Sequence, residues 1–406
     1  MDPSTSPKGP DRRQVLVGLS ATLAMAGHVP LGHAAASDPR FLTIVLRGAL
    51  DGLAVAAPVG DPAYASLRGE LAIAGSGQGS GLALDGFFAL NPAMPYLHRL
   101  YQQRQAIVLH AVASPYRGRS HFDGQDVLES GLGGVGQARD GWLNRAVNAM
   151  RTSGRAHAQG LALDAVVPLL MRGSAPVMSW IPKATKRPLH VSTLDRLADL
   201  YGETDAALAV ALAKGLEIEK MGTGSANRED AKGRFRQVMA AMTAAARLLK
   251  APEGPRVGVL SIGGWDTHAN AGVLNGQLYN GLAGLDTAIK ALVDDLGPAV
   301  WRETVVLLVT EFGRTARANG SNGTDHGTGT IALVAGGSVA GGRMMADWPG
   351  LQPSKLYEGR DLKPTLDVRS VAKGLLAAQF RIRPGDLSTA VFPDSAGVRT
   401  LDGLIA

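Results

Sequence analysis

A chain of 406 residues with 45% hydrophobic and 19% charged side chains has the balance of an ordinary globular protein, long enough to bury a core as one large α/β domain or two smaller ones. Lys and Arg number 41 against 35 Asp and Glu, a formal charge of +6, but they are interspersed with acids, and aromatics make up only 5%; this argues against nucleic acid as a partner. Cysteine is absent, which excludes disulfides, thiolate ligands and a cysteine nucleophile, so any metal must be held by His, Asp, Glu or backbone oxygens.

The amino terminus reads DRRQVLVGLSATLAMAGHVPLGHAAAS, with paired Arg12 and Arg13, a moderately apolar stretch from Val15 to Ala26, and Ala34, Ala35 and Ala36 before Ser37. The pattern resembles a twin-arginine export signal over residues 1–36, with a mature chain 37–406 that is periplasmic or extracellular. The apolar run is too short to span a bilayer, so no stable membrane span is expected, and the export machinery is the partner this segment implies. An amphipathic helix or short anchor is the alternative reading.

FLTIVLRGALDG follows, an apolar run from Phe41 to Leu46 that reads as a buried strand with Asp51 just beyond it. QAIVLHAVA, Gln105 to Ala113, is a second strand. After the loop SPYRGR, SHFDGQDVLESG reads as a helix with Ser120 as N-cap and Asp123 three residues on. From about 183 to 250 the chain is rich in Ala and Leu and predicts a helical insertion; its last helix aligns Phe235, Val238, Met239, Met242, Ala246 and Leu249 on one face. GVLSIGG is the next strand. QLYNGLAGLDTAIKALVDDLGP is a helix striped by Leu278, Leu282, Leu285, Ile289, Leu292 and Leu296 and stopped by Gly297 and Pro298. TVVLLVT ends in EFGRT, and a Gly/Asn-rich loop leads to the strand TIALVAGG. Strands alternating with helices predict one α/β domain with a mainly parallel central sheet covered on both faces.

In such a sheet, ligands bind at the carboxyl edge of the strands. Asp51, the pair Asp266 and His268, and Glu311 are expected there, together with Ser120, His121 and Asp123; the loop Ala316 to Thr328 adds Asp325 and His326, on the same edge if the following strand is parallel. Each has a plainer reading: an Asx-turn for Asp51, a helix cap for Ser120, surface loops for His268 and His326. Nine histidines less His28 and His33 of the leader leave seven, and three of these sit beside acids in strand-end loops, which weakens the plainer readings taken together. Several carboxylates at one site would neutralise unless a cation compensated them, and oxygen with imidazole suits Zn, Mn, Fe, Mg or Ca. Arg47, Arg119 and Arg314 are placed either to clamp anionic oxygens or to pair with these acids.

The segments LRGALDG, YRGRSHFDGQDVLESG, GWLNR, GGWDTHAN, TEFGRT and GTDHGTGTIALVAGG resemble, in order across nearly the whole mature chain, the alkaline phosphatase superfamily, and within it the twin-arginine-exported branch filed as domain of unknown function 1501. The resemblance implies an alkaline-phosphatase-like fold and one or two divalent ions, Zn before Mn, Fe, Mg or Ca. Asp266, His268 and His326 would hold one ion; Asp51, Glu311 and His121 would hold the other, with Asp123 orienting His121. Ser120 is then the nucleophile, with Arg119 and Arg314 beside it. Two departures stand out. The acid and His of GGWDTHAN are closer together than in the phosphatases, and Phe312 follows Glu311 where the superfamily has Asp and His together; His121 would replace that imidazole, or the site holds one ion or has a different shape. Asp325 with His326 is the alternative for the missing pair, but a loop precedes them where a strand is needed. A formylglycine sulfatase is disfavoured because there is no Cys and SPYRGR does not fit the signature, and neither G-x-S-x-G nor H-E-x-x-H is present.

The expected function is an exported metal-dependent hydrolase of phosphate or sulfate esters, acting on an anionic small-molecule or polymer substrate through a covalent intermediate on Ser120. The rivals are an exported metal-binding or assembly protein that retains the fold without chemistry, and a purely structural metal site.

Overall fold

Five apolar runs become the long strands of the protein, and each is buried on both faces because helices cover both sides of the sheet. The computed structural model describes residues 38–77, 79–154, 158–181, 191–222 and 234–406; the expected export signal with Arg12 and Arg13 lies outside the described residues. The amino-terminal half contains β1 (Arg40–Leu46), α1 (Gly52–Val55), β2 (Ala56–Ala57), α2 (Tyr64–Arg68), β3 (Leu82–Ala83), β4 (Ala89–Leu90) and α3 (Pro95–Gln102). Then come β5 (Ala106–Ala113), α4 (His121–Ser130), α5 (Trp142–Thr152), β6 (Gly160–Ala162), β7 (Val177–Ser179), α6 (Val191–Thr204), α7 (Ala206–Gly222) and α8 (Arg234–Lys250). The remainder contains β8 (Val257–Ile262), α9 (Gln277–Trp301), β9 (Thr304–Val309), β10 (Thr330–Gly336), β11 (Arg343–Met345), β12 (Leu366–Asp367) and α10 (Val368–Phe380).

The fold is α/β. Its main sheet has nine strands in the order β11-β5-β10-β9-β1-β8-β6-β7, with β12 also on β5, and every pairing is parallel except those of β10 with β5 and β9. Alternate residues feed two cores. Leu42, Ile44 and Leu46 of β1 join Leu260 and Ile262 of β8 and the apolar stripes of α8 and α9, whereas Phe41 and Val45 face the other way, towards α5 and α10. Residues Pro39–Ala406 make up this one unit.

Register decides where the loops emerge. Leu46 pairs with Ile262 and Val45 with Val309, so β1, β8 and β9 end level, and the loops after all three share one edge. The loop carrying Asp325 and His326 stays on that edge because β10 is antiparallel, starting where β9 stops; the expectation that a parallel strand would keep it there is corrected, since a parallel β10 would have to begin at the opposite edge.

The helical segment expected from about 183 to 250 contains two kinds of helix. Met242, Ala245, Leu248 and Leu249 of α8 are fully buried, making it part of the core, whereas α6 and α7 expose Leu200, Leu208 and Val210. In α9 the helical path breaks at Gly297, whose φ of 74° lies in the left-handed region, and one more turn carries the chain from Pro298 to Trp301.

Candidate metal centre

Asp266 and His268 face outward because their neighbours face inward. Along the extended stretch after β8, Trp265 and Thr267 are buried and Asp266 and His268 exposed, the two-residue alternation of an extended chain. Trp265 anchors the stretch by donating its Nε1–H to the carbonyl of Ile262 at 2.9 Å. From outside, the loop 319–325 backs it: Asn270 N–H donates to Ser321 O (2.8 Å), Thr324 N–H to Thr267 O (3.1 Å) and the Asn319 side chain to His268 O (2.8 Å). The same loop doubles back on the residues after β9, with Thr315 N–H on Asp325 O at 2.9 Å and Gly327 N–H on Gly313 O at 2.8 Å, bringing His326 beside Arg314. His121 arrives as the first residue of α4, whose N-cap is Ser120.

The result is three imidazoles around one carboxylate. Asp266 Oδ1 is 3.1 Å from His268 Nε2 and 3.3 Å from His326 Nε2, Asp266 Oδ2 is 3.3 Å from His121 Nε2, and the two Nε2 atoms of His268 and His326 are 3.0 Å apart. The far nitrogens are all held: His121 Nδ1 on Glu311 Oε1 (2.8 Å), His326 Nδ1 on the Arg119 carbonyl (2.9 Å) and His268 Nδ1 on Asp325 Oδ1 (3.3 Å). Three Nε2 atoms are thus oriented towards one point beside Asp266 by bonds on their opposite ring edges.

This donor set fits a divalent cation. Zinc takes imidazole nitrogen and carboxylate oxygen at about 2.0–2.2 Å in a tetrahedron, which sets neighbouring ligand atoms roughly 3.3 Å apart. One ligand atom each of His121, Asp266 and His326 lie within 4.8 Å of one another, and His268 Nε2 adjoins this group at 3.1 Å from Asp266 Oδ1 and 3.0 Å from His326 Nε2. The buried Nε2 of His121 makes no hydrogen bond of good geometry, with Asp266 Oδ2 at 3.3 Å beside it.

The remaining expected site residues have other partners. Asp51 is 1% exposed, caps α1 through the amide of Ala54 and is ion-paired with the buried Arg68 of α2, so the contacts it makes are with these residues and not with the cluster. Glu311 sits behind His121, and its other contacts are the amide of Gly48 (2.9 Å), Gln125 (3.1 Å) and the hydroxyl of Thr310 (2.9 Å). It holds a ligand candidate and does not face the convergence point. Asp123 accepts from the Tyr116 hydroxyl at 3.3 Å, so the acid that orients His121 is Glu311 and not Asp123. Arg314 is buried, with Nη1 at 2.6 Å from Asp266 Oδ1 and Nε on the Thr324 hydroxyl at 3.2 Å; Arg119 pairs with Asp361 (2.7 Å) and Glu358 (2.5 Å); Arg47 pairs with Glu129 at 2.5 Å. Each of the three arginines is thus paired with an acid in this structure. Ser120 is half-buried between Arg119 and His121, and its hydroxyl accepts from the Asp123 amide at 3.5 Å, the long limit of a hydrogen bond.

Two features escape a reading of the sequence. Gln125 lies one turn after His121 on α4, and both meet Glu311; the four-residue spacing is the signal that could have linked them. Phe312, the departure from the superfamily pattern, stacks on His121 with ring centroids 5.1 Å apart and lies 5.3 Å from the ring of His326, so it wedges two of the imidazoles. Gly48 is required by close approach: its φ is +117°, and a Cβ there would lie 2.7 Å from the amide nitrogen of Asp266.

Charges in the cluster are set by these contacts. The hydrogen bond that His121 donates to Glu311 raises the pKa of His121 against the opposing effect of burial. Burial pushes Glu311 up, but the bond to His121, with those from Gln125 and Gly48, brings it below the usual carboxylate range. Burial likewise acts upward on Asp266 and is outweighed by Arg314, His268 and His121, so its carboxyl stays ionised. His326 is lowered, mainly by burial, with the charge of His121 adding to it, and is available as a neutral ligand.

No curated protein matches this chain. Solved structures similar to it include Ps i-CgsB in complex with k-i-k-neocarrahexaose (10% identity, 89% of this chain and 77% of that one, TM-score 0.45). Two others are a protein in the alkaline phosphatase superfamily from Vibrio parahaemolyticus (12%, 76% and 62%, TM-score 0.37) and human ectonucleotide pyrophosphatase/phosphodiesterase 5 (10%, 68% and 57%, TM-score 0.33). The chain spans less than two thirds of the length of these last two. The family described as "Protein of unknown function (DUF1501)" matches residues 106–392, more than half of the sequence, and the protein belongs to that family.

Proposed function

We propose that the protein is an exported, metal-dependent hydrolase of phosphate or sulfate esters, built on an alkaline-phosphatase-like fold. The observation that carries this reading is the convergence of three imidazole Nε2 atoms on Asp266 at ligand spacing. His121, Asp266, His268 and His326 would hold one divalent ion, with zinc the first choice for this mixed nitrogen and oxygen set. Such an ion, when bound, supplies positive charge to the oxygens of the ester group. One ion is favoured over two because Asp51 is already neutralised by Arg68 and Glu311 is engaged with His121.

The chain's own residues would do the rest. Ser120 Oγ forms a bond to phosphorus or sulfur as the ester bond breaks, with the hydroxyl proton leaving on the departing alcohol; water then cleaves the Oγ bond, its oxygen going to the released anion and one proton restoring the hydroxyl. Ser120 stands between Arg119, whose carbonyl holds His326, and His121, so one short turn would carry the nucleophile, one ligand and the support of a second. Arg314 keeps Asp266 ionised and aimed, and Glu311 does the same for His121.

Elemental analysis of untagged mature protein tests the reading, followed by hydrolysis of aryl phosphates and aryl sulfates. About one equivalent of a transition metal is expected, with turnover that is lost in Ser120→Ala while the metal is retained. A preparation that takes up neither zinc nor manganese would overturn it. Full turnover in Ser120→Ala would remove the serine from the chemistry.

A further inference from the structure

We infer that the cluster serves an anionic oligosaccharide chain and not a compact ester, with the scissile group over the cluster and sugar units extending into clefts at both of its ends. This rests on the hydrolase reading above. The polar network through the cluster has two ends: Gln125 to Glu311 to His121 on one side of Asp266, and His268 to Asp325 on the other. A cleft opens at each. At the Gln125 end lies one of about 480 Å³, bordered by Phe122 and Val166, and a second hollow of about 270 Å³ adjoins it through the shared wall residue Asp164. At the Asp325 end lies one of about 310 Å³, flanked by Arg317 and Arg360. Two of these are near the lower bound of roughly 300–1,000 Å³ that a small ligand fills and the third is well inside it, so together they offer more room than one compact ester takes.

The two ends differ chemically. Phe122 directly follows His121 and is 87% exposed, and Val166, which lines the same cleft, is 66% exposed, an unusual apolar pair to leave in water beside a polar centre. The charges lining this cleft are mixed: Arg47 is paired with Glu129, and Asp126, Asp164 and Arg172 also line it. An aromatic face among hydrogen-bonding groups of both signs suits the C–H face and hydroxyls of a sugar ring. At the opposite end two arginines outnumber Asp325. Arg317 is exposed and forms no ion pair among the described residues, while Arg360 donates to the His326 carbonyl at 2.6 Å and lies 3.7 Å from Asp361. Charged substituents of the chain are therefore received at the Arg317 end.

The test is calorimetric titration of the full protein with sulfated heparin-derived di-, tetra- and hexasaccharides. Affinity is expected to rise at least tenfold from di- to hexasaccharide, and Phe122→Ala and Arg317→Ala are each expected to cut that gain below threefold; both positions are exposed and neither should affect folding. Equal affinity for all lengths, a gain that survives in both variants, or a length-dependent gain with oligodeoxythymidylate in place of the saccharides would overturn the inference. Aryl ester hydrolysis on the same preparations separates the two readings. Turnover without a length gain sinks the oligosaccharide assignment alone, whereas a length gain without turnover sinks the hydrolase reading and leaves the clefts assigned.

Discussion

Asp51 and Asp266 begin as equivalent residues, each an acid a few positions beyond a buried parallel strand and each facing an arginine, yet they end in opposite states. The Asp51–Arg68 pair is sealed, with side chains 1% and 0% exposed, whereas Asp266 keeps 40% of its side chain in solvent opposite the equally buried Arg314. The difference is what else arrives. At Asp51 the polypeptide turns at once into α1, whose amide takes one oxygen, and Arg68 takes the other. At Asp266 three imidazoles gather instead: His268 from its own stretch, His326 from just after the loop 319–325, and His121 from the start of α4. A carboxylate satisfied by one cation in a dry pocket is structural; one left with several neutral donors at the surface is a place for an ion.

The largest test of this contrast is metal retention. Asp266→Ala or His326→Ala should lose bound metal by a hundredfold or more in affinity, and Asp51→Asn should keep it, as read by elemental analysis after dialysis. Metal loss from Asp51→Asn in a folded sample would break the comparison. Stability should move the other way: Arg68→Met strands a buried carboxylate and should cost about 3–5 kcal/mol in urea unfolding, while Asp266→Asn, half in solvent, should change stability far less.

A third test carries the contrast from acids to imidazoles. His110 of β5 is sealed like Asp51, with Nε2–H on the Ala56 carbonyl at 3.0 Å and Nδ1 accepting from the Ala111 amide at 2.8 Å, between Phe88 and Trp348. Burial lowers its pKa to about 4. A histidine depressed in the fold keeps its full contribution above the unfolded value near 6.5 and loses it as pH falls towards 4, so about 3 kcal/mol should disappear over that window. Unfolding at pH 7.5 and 4.5 should show this loss, and His110→Phe should reduce the difference. Smaller again is Glu311→Gln, which keeps a hydrogen-bond acceptor for His121 but removes the charge; metal affinity should fall about 10–100-fold with the ion still measurable. Smallest is the stability effect of Ser120→Ala, where the cap contact is long, about 1 kcal/mol or less by thermal melting.

Much of this was readable from residue order. The five apolar runs marked the long strands to within a residue or two, since an uninterrupted β-branched and aliphatic run between turn residues has few other uses. His121, Asp266, His268 and His326 could be marked as converging because strand ends in a parallel sheet share an edge. The short strands β6, β7, β11 and β12 were not legible: three residues or fewer carry no periodicity, and their pairing to the sheet makes them strands.

The amino-acid sequence by itself determined which residue types were available, where the strands ran, and that ligand-type side chains stood at their carboxyl ends. Tertiary structure decided which of them meet. Arg68 reaches Asp51 across a loop that no local pattern links to it, the antiparallel direction of β10 holds His326 at the edge, and Phe312 becomes the wedge between two imidazoles. Periodicity and strand ends are properties of neighbours along the chain, but the partner that neutralises a charge or frees it for an ion is set by packing between residues that are 17 positions apart at Asp51, 48 at Asp266 and 190 at His121.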